Sequence, residues 1–174
     1  SSAASDVYKR QFAWRAGTTG TDNVVIGHAA AYENGGNHQG LTASVYVGFS
    51  AGYHGAQNSS VVIGYQAGFR NYGGNSTFIG YRSGGYANSS SSGNNNTAVG
   101  YQSLYSIQGS SDNAAVGLNS LFALTSGHGN CVLGRDAGDT LSSGSYNTLI
   151  GQNANGSTNS ATYEINIGHD VVGT

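Results

Sequence analysis

A single cysteine, Cys131, among 174 residues rules out an internal disulfide, so stability must come from elsewhere and the redox compartment stays open. Charged side chains are scarce, at 8% of the chain, and they are unevenly placed. Lys9, Arg10 and Arg15 sit near the N-terminus, leaving Arg70, Arg82 and Arg135 against seven acids in the remainder: Asp22, Glu33, Asp112, Asp136, Asp139, Glu164 and Asp170. The main body is mildly acidic and has no basic stripe to meet phosphates, which argues against nucleic acid as a partner. No apolar run approaches the length of a membrane span, and no signal-peptide pattern is visible. Proline and methionine are absent altogether.

What the chain has instead is glycine, 29 copies of it, with many Ser and Asn. Glycine-rich chains are often disordered, but disorder comes with few aromatic and β-branched residues. Here 10% of residues are aromatic and Val and Ile recur at regular places, which points to order built from stacked turns.

The regularity is an internal repeat, the first thing to look for in such a chain. An apolar phrase ends on Gly27, Gly48, Gly64, Gly80, Gly100, Gly117, Gly134, Gly151 and Gly168, at spacings of 21, 16, 16, 20, 17, 17, 17 and 17. The two long spacings carry insertions of turn-type residues, Asn34 to Gly40 and Asn88 to Asn95. A unit of 16–17 residues that tolerates loops predicts an all-β parallel β-solenoid of about nine coils. Parallel strands stack roughly 4.7 Å apart, so nine coils make a rod on the order of 40 Å long.

Each column of the repeat carries an expectation. The residue before the glycine is always aliphatic: Ile26, Val47, Ile63, Ile79, Val99, Val116, Leu133, Ile150 and Ile167. Two residues earlier stand Val24, Val45, Val61, Thr77, Thr97, Ala114, Cys131, Thr148 and Ile165. By the two-residue period of a strand these columns share a face, which is assigned to the interior, with Cys131 as a small buried hydrophobe. The column between them is also apolar (Val25, Tyr46, Val62, Phe78, Ala98, Ala115, Val132, Leu149) until Asn166. A strand apolar on both faces is buried on both, and a slim coil has one inside, so this column is expected to face an identical chain. Four residues before each glycine lies a polar column, Asn23, Ser44, Ser60, Ser76, Asn96, Asn113, Asn130 and Asn147, suited to hydrogen-bond ladders between coils. Three residues after it the side chains are small, mostly Ala or Ser, which allows close approach.

The opening "SSAASDVYKRQ" does not share this style and has no initiator Met. It resembles the translation of a sequencing adapter, so residues 1–11 are read as non-native. Residues 1–16 are set aside as a non-native or disordered segment, and 17–174 are taken as the solenoid, truncated at both ends.

"NTAVGYQSL", "NTLIGQNA" and "SVVIGYQAG" resemble the head repeats of trimeric autotransporter adhesins of the YadA-like kind. They look still more like the repeats of phage tail fibres that carry a C-terminal endosialidase-type intramolecular chaperone, and "ATYEINIGHDVVGT" resembles the phrase that closes such arrays. The resemblance implies a left-handed β-roll, three chains around one axis, and attachment to a cell surface, through a polysaccharide or a protein receptor. It implies a place on the virion, or on a bacterial surface if the adhesin likeness is the true one. Adhesin-head repeats are usually shorter than these.

Chemistry finds little purchase. "IGYQAG" (Ile63 to Gly68) fits the hexapeptide phrase of β-helix acyltransferases, but those enzymes show it about three times per coil and use a His as general base. His28, His38, His54, His128 and His169 are scattered, and His28 and His169 fill a slot that elsewhere holds Phe49, Tyr65, Tyr81 or Tyr101. No metal-ligand spacing occurs, and "GRDAGD" (Gly134 to Asp139) lacks the alternating ligands of a calcium loop. Depolymerisation of surface glycans would need clustered carboxylates, and here they fall in different coils. The chain is therefore read as non-enzymatic and without cofactor or metal. Tyr65, Tyr81 and Tyr101 form a column read first as packing between chains, with stacking on sugar rings as the alternative.

Overall fold

The computed structural model describes the backbone of residues 7–9 and residues 20–32, 41–55, 58–85 and 93–174 in full. The described residues contain ten three-residue strands: β1 (Val7–Lys9), β2 (Val24–Ile26), β3 (Val45–Val47), β4 (Val61–Ile63), β5 (Thr77–Ile79), β6 (Thr97–Val99), β7 (Ala114–Val116), β8 (Cys131–Leu133), β9 (Thr148–Ile150) and β10 (Ile165–Ile167). They form one parallel sheet in sequential order, and no helix is present among the described residues. The fold is an all-β parallel β-solenoid. The register is that of the repeat: Ile63 pairs with Ile79, Ile79 with Val99, and Val99 with Val116. The strand β1 lies inside the stretch set aside on style and pairs in parallel with β2, Val7 against Val24.

A three-residue strand holds few ladder bonds, so the rest of each coil must be tied by other means. After the strand, in the coils from Gly27 to Gly134, the backbone alternates hand, with the repeat glycine, the residue two on and the residue four on all at positive φ: Gly64 at 134°, Gln66 at 53° and Gly68 at 59°. This alternation aims main-chain N–H groups along the stack. The Gly64 and Gln66 N–H groups donate back to Val47 and Phe49 carbonyls at 2.8 and 2.9 Å, and the Gly68 N–H donates forward to the Ser83 carbonyl at 2.8 Å. Turn donors are thus satisfied by neighbouring coils instead of by water. The glycine column is required twice over, since a Cβ on Gly64 would lie on the Gly80 carbonyl of the next coil as well as strain the backbone.

The interior corrects the assignment of faces. The column expected to meet another chain is the core: Val25, Tyr46, Val62, Phe78, Ala98, Ala115, Val132 and Leu149 are buried. The two columns expected inside point outward. Ile26, Val116, Leu133 and Ile167 are exposed, Val24, Val45, Val47, Val61, Ile63, Ile79, Val99 and Ile150 are intermediate, and Cys131 is exposed and not a buried hydrophobe. The physical reason lies one residue upstream of the strand. The Asn and Ser column is buried, because its side chains bond main-chain groups of adjacent coils: Asn113 Nδ2 reaches the Gly127 carbonyl at 3.0 Å, and Asn113 Oδ1 receives the Asn130 N–H at 3.0 Å. With that column inside, the two-residue period of the strand puts its middle residue inside and its flanks outside.

Why the core column varies from Ala to Tyr is explained by the residue four past the glycine, which packs against it. The two aromatic core residues face glycine: a Cβ on Gly52 would overlap the Tyr46 ring and one on Gly84 the Phe78 ring. Where the core residue is Ala98 or Ala115, the facing position holds Leu104 or Leu121, both fully buried. Those leucines keep the left-handed backbone of the glycines they replace, at φ 51° and 50°. A left-handed residue with a side chain costs roughly 1–2 kcal/mol. Filling the space left by an alanine offsets that, since burying a leucine is worth about 1.5–3 kcal/mol.

Candidate interaction surface

The outer face of the sheet is built from the two flanking columns. From β2 to β10 neither column contains a charged residue. Next to them, one residue past the glycine, runs a ladder of rings: His28, Phe49, Tyr65, Tyr81 and Tyr101. Parallel coils in register place equivalent side chains one above the other, so successive rings stack with centroids 5.0–5.3 Å apart and planes within 10°. The Arg82 guanidinium sits 5.1 Å from the Tyr81 centroid and its Nε donates to Gln66 Oε1 at 3.0 Å. Beyond Tyr101 the same position holds Leu118, Arg135, Gln152 and His169. There the neighbouring residues carry polar contacts, Arg135 to Asp136 at 3.0 Å and His169 to Asp170 at 2.9 Å.

This geometry speaks to sugar stacking on Tyr65, Tyr81 and Tyr101. A sugar packs on an open ring face. Both faces of Tyr65 and of Tyr81 are taken by neighbouring rings, and one face of Tyr101 is covered by Tyr81. The ladder presents ring edges and hydroxyls to solvent. Shorter ladders, Tyr32–Tyr53–Phe69, Tyr105–Phe122 and Tyr146–Tyr163, repeat the arrangement elsewhere on the coil.

No group of three His, Cys, Asp or Glu residues able to hold a metal ion occurs among the described residues. His128 ties three coils together, since its Nδ1 accepts the Ser111 N–H at 3.0 Å and its own N–H donates to Ser145 Oγ at 3.0 Å. His54 packs edge-on against Tyr53, at 4.2 Å. His38 and the insertion Asn34 to Gly40 lie outside the described residues, as does Asn88 to Ser92 of the second insertion. Of that insertion's described end, Asn94 and Asn95 are exposed, and both participate in contacts between coils: Asn94 Oδ1 accepts the Gly74 N–H at 2.8 Å and Asn95 Nδ2 donates to Asp112 at 2.9 Å. The Ser157 hydroxyl, then the Ser157 N–H, hold the Glu164 carboxyl below the ordinary range, with desolvation opposing and Asn166 assisting.

What sequence reasoning missed was the outward aim of Ile26, Leu133, Cys131 and their columns. The signal was present in the Asn and Ser column, whose parity fixes that of the strand. Comparison of the chain with family models, with curated proteins and with solved structures returned no match. No helix among the described residues is long and apolar enough to cross a membrane.

Proposed function

We propose that this chain is an attachment segment of a homotrimeric phage tail fibre, a stiff rod that carries its inserted loops in three copies toward a cell-surface polysaccharide or protein receptor. The single observation that carries the reading is the uncharged outer face of β2–β10. The coil fills its interior with its own side chains, yet an aliphatic column, a second column of Val, Thr, Ala, Cys and Ile, and a ring ladder remain outside. Two columns along nine coils make a strip on the order of 40 Å by 10 Å, or about 400 Å², the size of the largest patch a monomer exposes, and such patches are often functional. A second copy is the partner that suits it, because only a surface with the same axial rise can seat each side chain between the ribs of the next. Three copies give each chain two neighbours and close the assembly.

Attachment then works through multiplicity. Weak contacts made by equivalent loops on a common rod add, without any one of them being strong. The repeat phrases resemble phage-fibre arrays most, and the head of a bacterial trimeric adhesin is the neighbouring reading with the same mechanics. Sedimentation equilibrium tests the assembly: the expected mass is three chains, and a stable, folded monomer at micromolar concentration would defeat it. Binding to whole bacterial cells, with and without removal of surface polysaccharide, tests the attachment.

A further inference from the structure

The step of the ring ladder is set by the fold and not by the rings. Equivalent atoms of successive coils repeat at the strand spacing, and His28, Phe49, Tyr65, Tyr81 and Tyr101 follow one another at 5.0–5.3 Å with planes within 10°. Five rings therefore make a straight, evenly ruled row about 20 Å long.

Three consecutive rungs end in hydroxyls. Tyr65, Tyr81 and Tyr101 are 42%, 36% and 48% exposed, and because they stack on one another it is the phenol edge that meets solvent. A phenol hydroxyl both donates and accepts. On one side of the row the next residues along the chain are Gln66, Arg82 and Gln102, all partly exposed. On the other side Gly64, Gly80 and Gly100 put no side chain beside the rings. Arg82 is the one charge among the three tyrosines and their three polar neighbours, so the row lacks the repeated cations that a polyanion would need.

We propose that this row is a linear subsite for a neutral β-1,4-linked polysaccharide, which lies along the rod axis with one sugar ring to each coil. It rests on the attachment reading above and adds to it the linkage of the glycan. A β-1,4-linked pyranose chain is an extended ribbon that advances by about one ring length per sugar, and that length matches the 5.0–5.3 Å step of the ladder. Alternate sugars of such a ribbon are turned over, and a hydroxyl that serves as donor or acceptor suits both orientations. The contact is edge-on, since the ring faces are already covered by their neighbours. α-1,4-linked chains of the same sugar coil and fall out of step with the rungs. Matched repeats let each added sugar renew a weak contact, so strength comes from length.

Titration calorimetry of the full chain with β-1,4-linked oligomers of glucose and of N-acetylglucosamine, from two to six sugars long, is the test. For at least one of the two sugars affinity should rise with each unit up to five, one for each ring from His28 to Tyr101. α-1,4-linked glucose oligomers of equal length should bind at least about tenfold more weakly. Tyr81→Phe keeps the stacked ring and removes its hydroxyl. It should weaken the longest oligomer about threefold to tenfold, as one lost hydrogen bond does, and leave sedimentation unchanged. No binding of either sugar, equal affinity for the two linkages, or no rise with length overturns the proposal. So does a Tyr81→Phe variant that loses self-association and keeps sugar binding, because the ladder is then packing between chains. Bacterial cells bound while no oligomer binds would overturn this subsite and leave attachment standing. Oligomers bound in the expected pattern while no cell binds would sustain the subsite and remove cell attachment.

Discussion

If Phe78 and Gly84 fit each other as the core implies, they should be exchangeable as a pair and not singly. Phe78→Ala deletes a fully buried ring. Such deletions cost about 3–5 kcal/mol, because the surrounding coils relax only partly into the cavity. Gly84→Leu alone drives a side chain into the Phe78 ring. Overpacking costs about 1–3 kcal/mol, and the left-handed backbone at φ 73° adds roughly 1–2 kcal/mol. If the two were independent, the double variant would lose at least about 5 kcal/mol. In combination they recreate the Ala98–Leu104 arrangement of the next coil, where both residues are fully buried. Only the backbone strain and an imperfect fit remain, about 2–4 kcal/mol, so the coupling should be near 3 kcal/mol. Urea unfolding of wild type, both singles and the double, followed by circular dichroism at one fixed protein concentration, measures it, since assembly makes stability concentration-dependent. A double variant that equals the sum of the singles within about 0.5 kcal/mol refutes the pairing.

The outward aim of the flanking columns predicts that Leu133→Ser leaves the fold of a single coil intact but weakens self-association, whereas Val132→Ser costs about 2 kcal/mol or more in folding; unfolding and sedimentation on both variants separate the two effects. Cys131 should react with a maleimide in dissociated but folded protein and be protected in the assembly, and protection in both states would return it to the interior. Asn130→Ala leaves the Asn147 N–H and the Gly144 carbonyl without their side-chain partners, for a loss of about 1–3 kcal/mol by denaturation. Glu164 titrates below its ordinary value in the folded state, so its stabilisation is complete above the unfolded pKa and is lost as pH falls through the depressed one. Melting temperature measured from about pH 6 to about pH 3 should show a small acid-side loss that Glu164→Gln removes.

The repeat was fully legible in the sequence, because a glycine that must admit the next coil's carbonyl can be nothing else, and Gly64 or Gly117 announces its column by identity alone. Register followed from it, down to Ile79 opposite Val99. The inside and outside of the strand were not legible from hydrophobicity, for a physical reason. The most uniform column, Ile26 to Ile167, looks like a core, and the least uniform, with Ala98 beside Phe78, looks like a surface. Uniformity reflects a shared neighbour, however, and variability can be compensated: Ala98 and Phe78 are each matched across the coil, by Leu104 and Gly84. A polar column such as Asn96 to Asn147 reads as exposed until one asks who caps the strand's entry donors. Once that question is put, burial of the asparagines and the parity of everything after them follow.

The same parity separates what a substitution can do. Inside the coil, residues interact along two directions at once, across to the facing turn and up and down the stack, so a change at Phe78 is felt at Val62, Ala98 and Gly84 together. On the outer columns each side chain has neighbours above and below but none in front, and its identity is constrained by whatever covers that face. Ile63, Ile79 and Leu133 are kept aliphatic where a soluble monomer would accept threonine or lysine at less cost in exposed apolar area. Thr97 and Thr148, two residues earlier on the same outer face, show that β-branched polar residues fit these short strands, so strand propensity alone does not demand Ile and Leu on that face. The aliphatic choice is therefore best accounted for by contact with another molecule, and a scan replacing Ile63, Ile79 and Leu133 by Thr measures it. Threonine should leave monomer folding within about 1 kcal/mol while lowering the association constant at each position. Association equal to wild type in all three variants would remove the reason for placing any partner on this face.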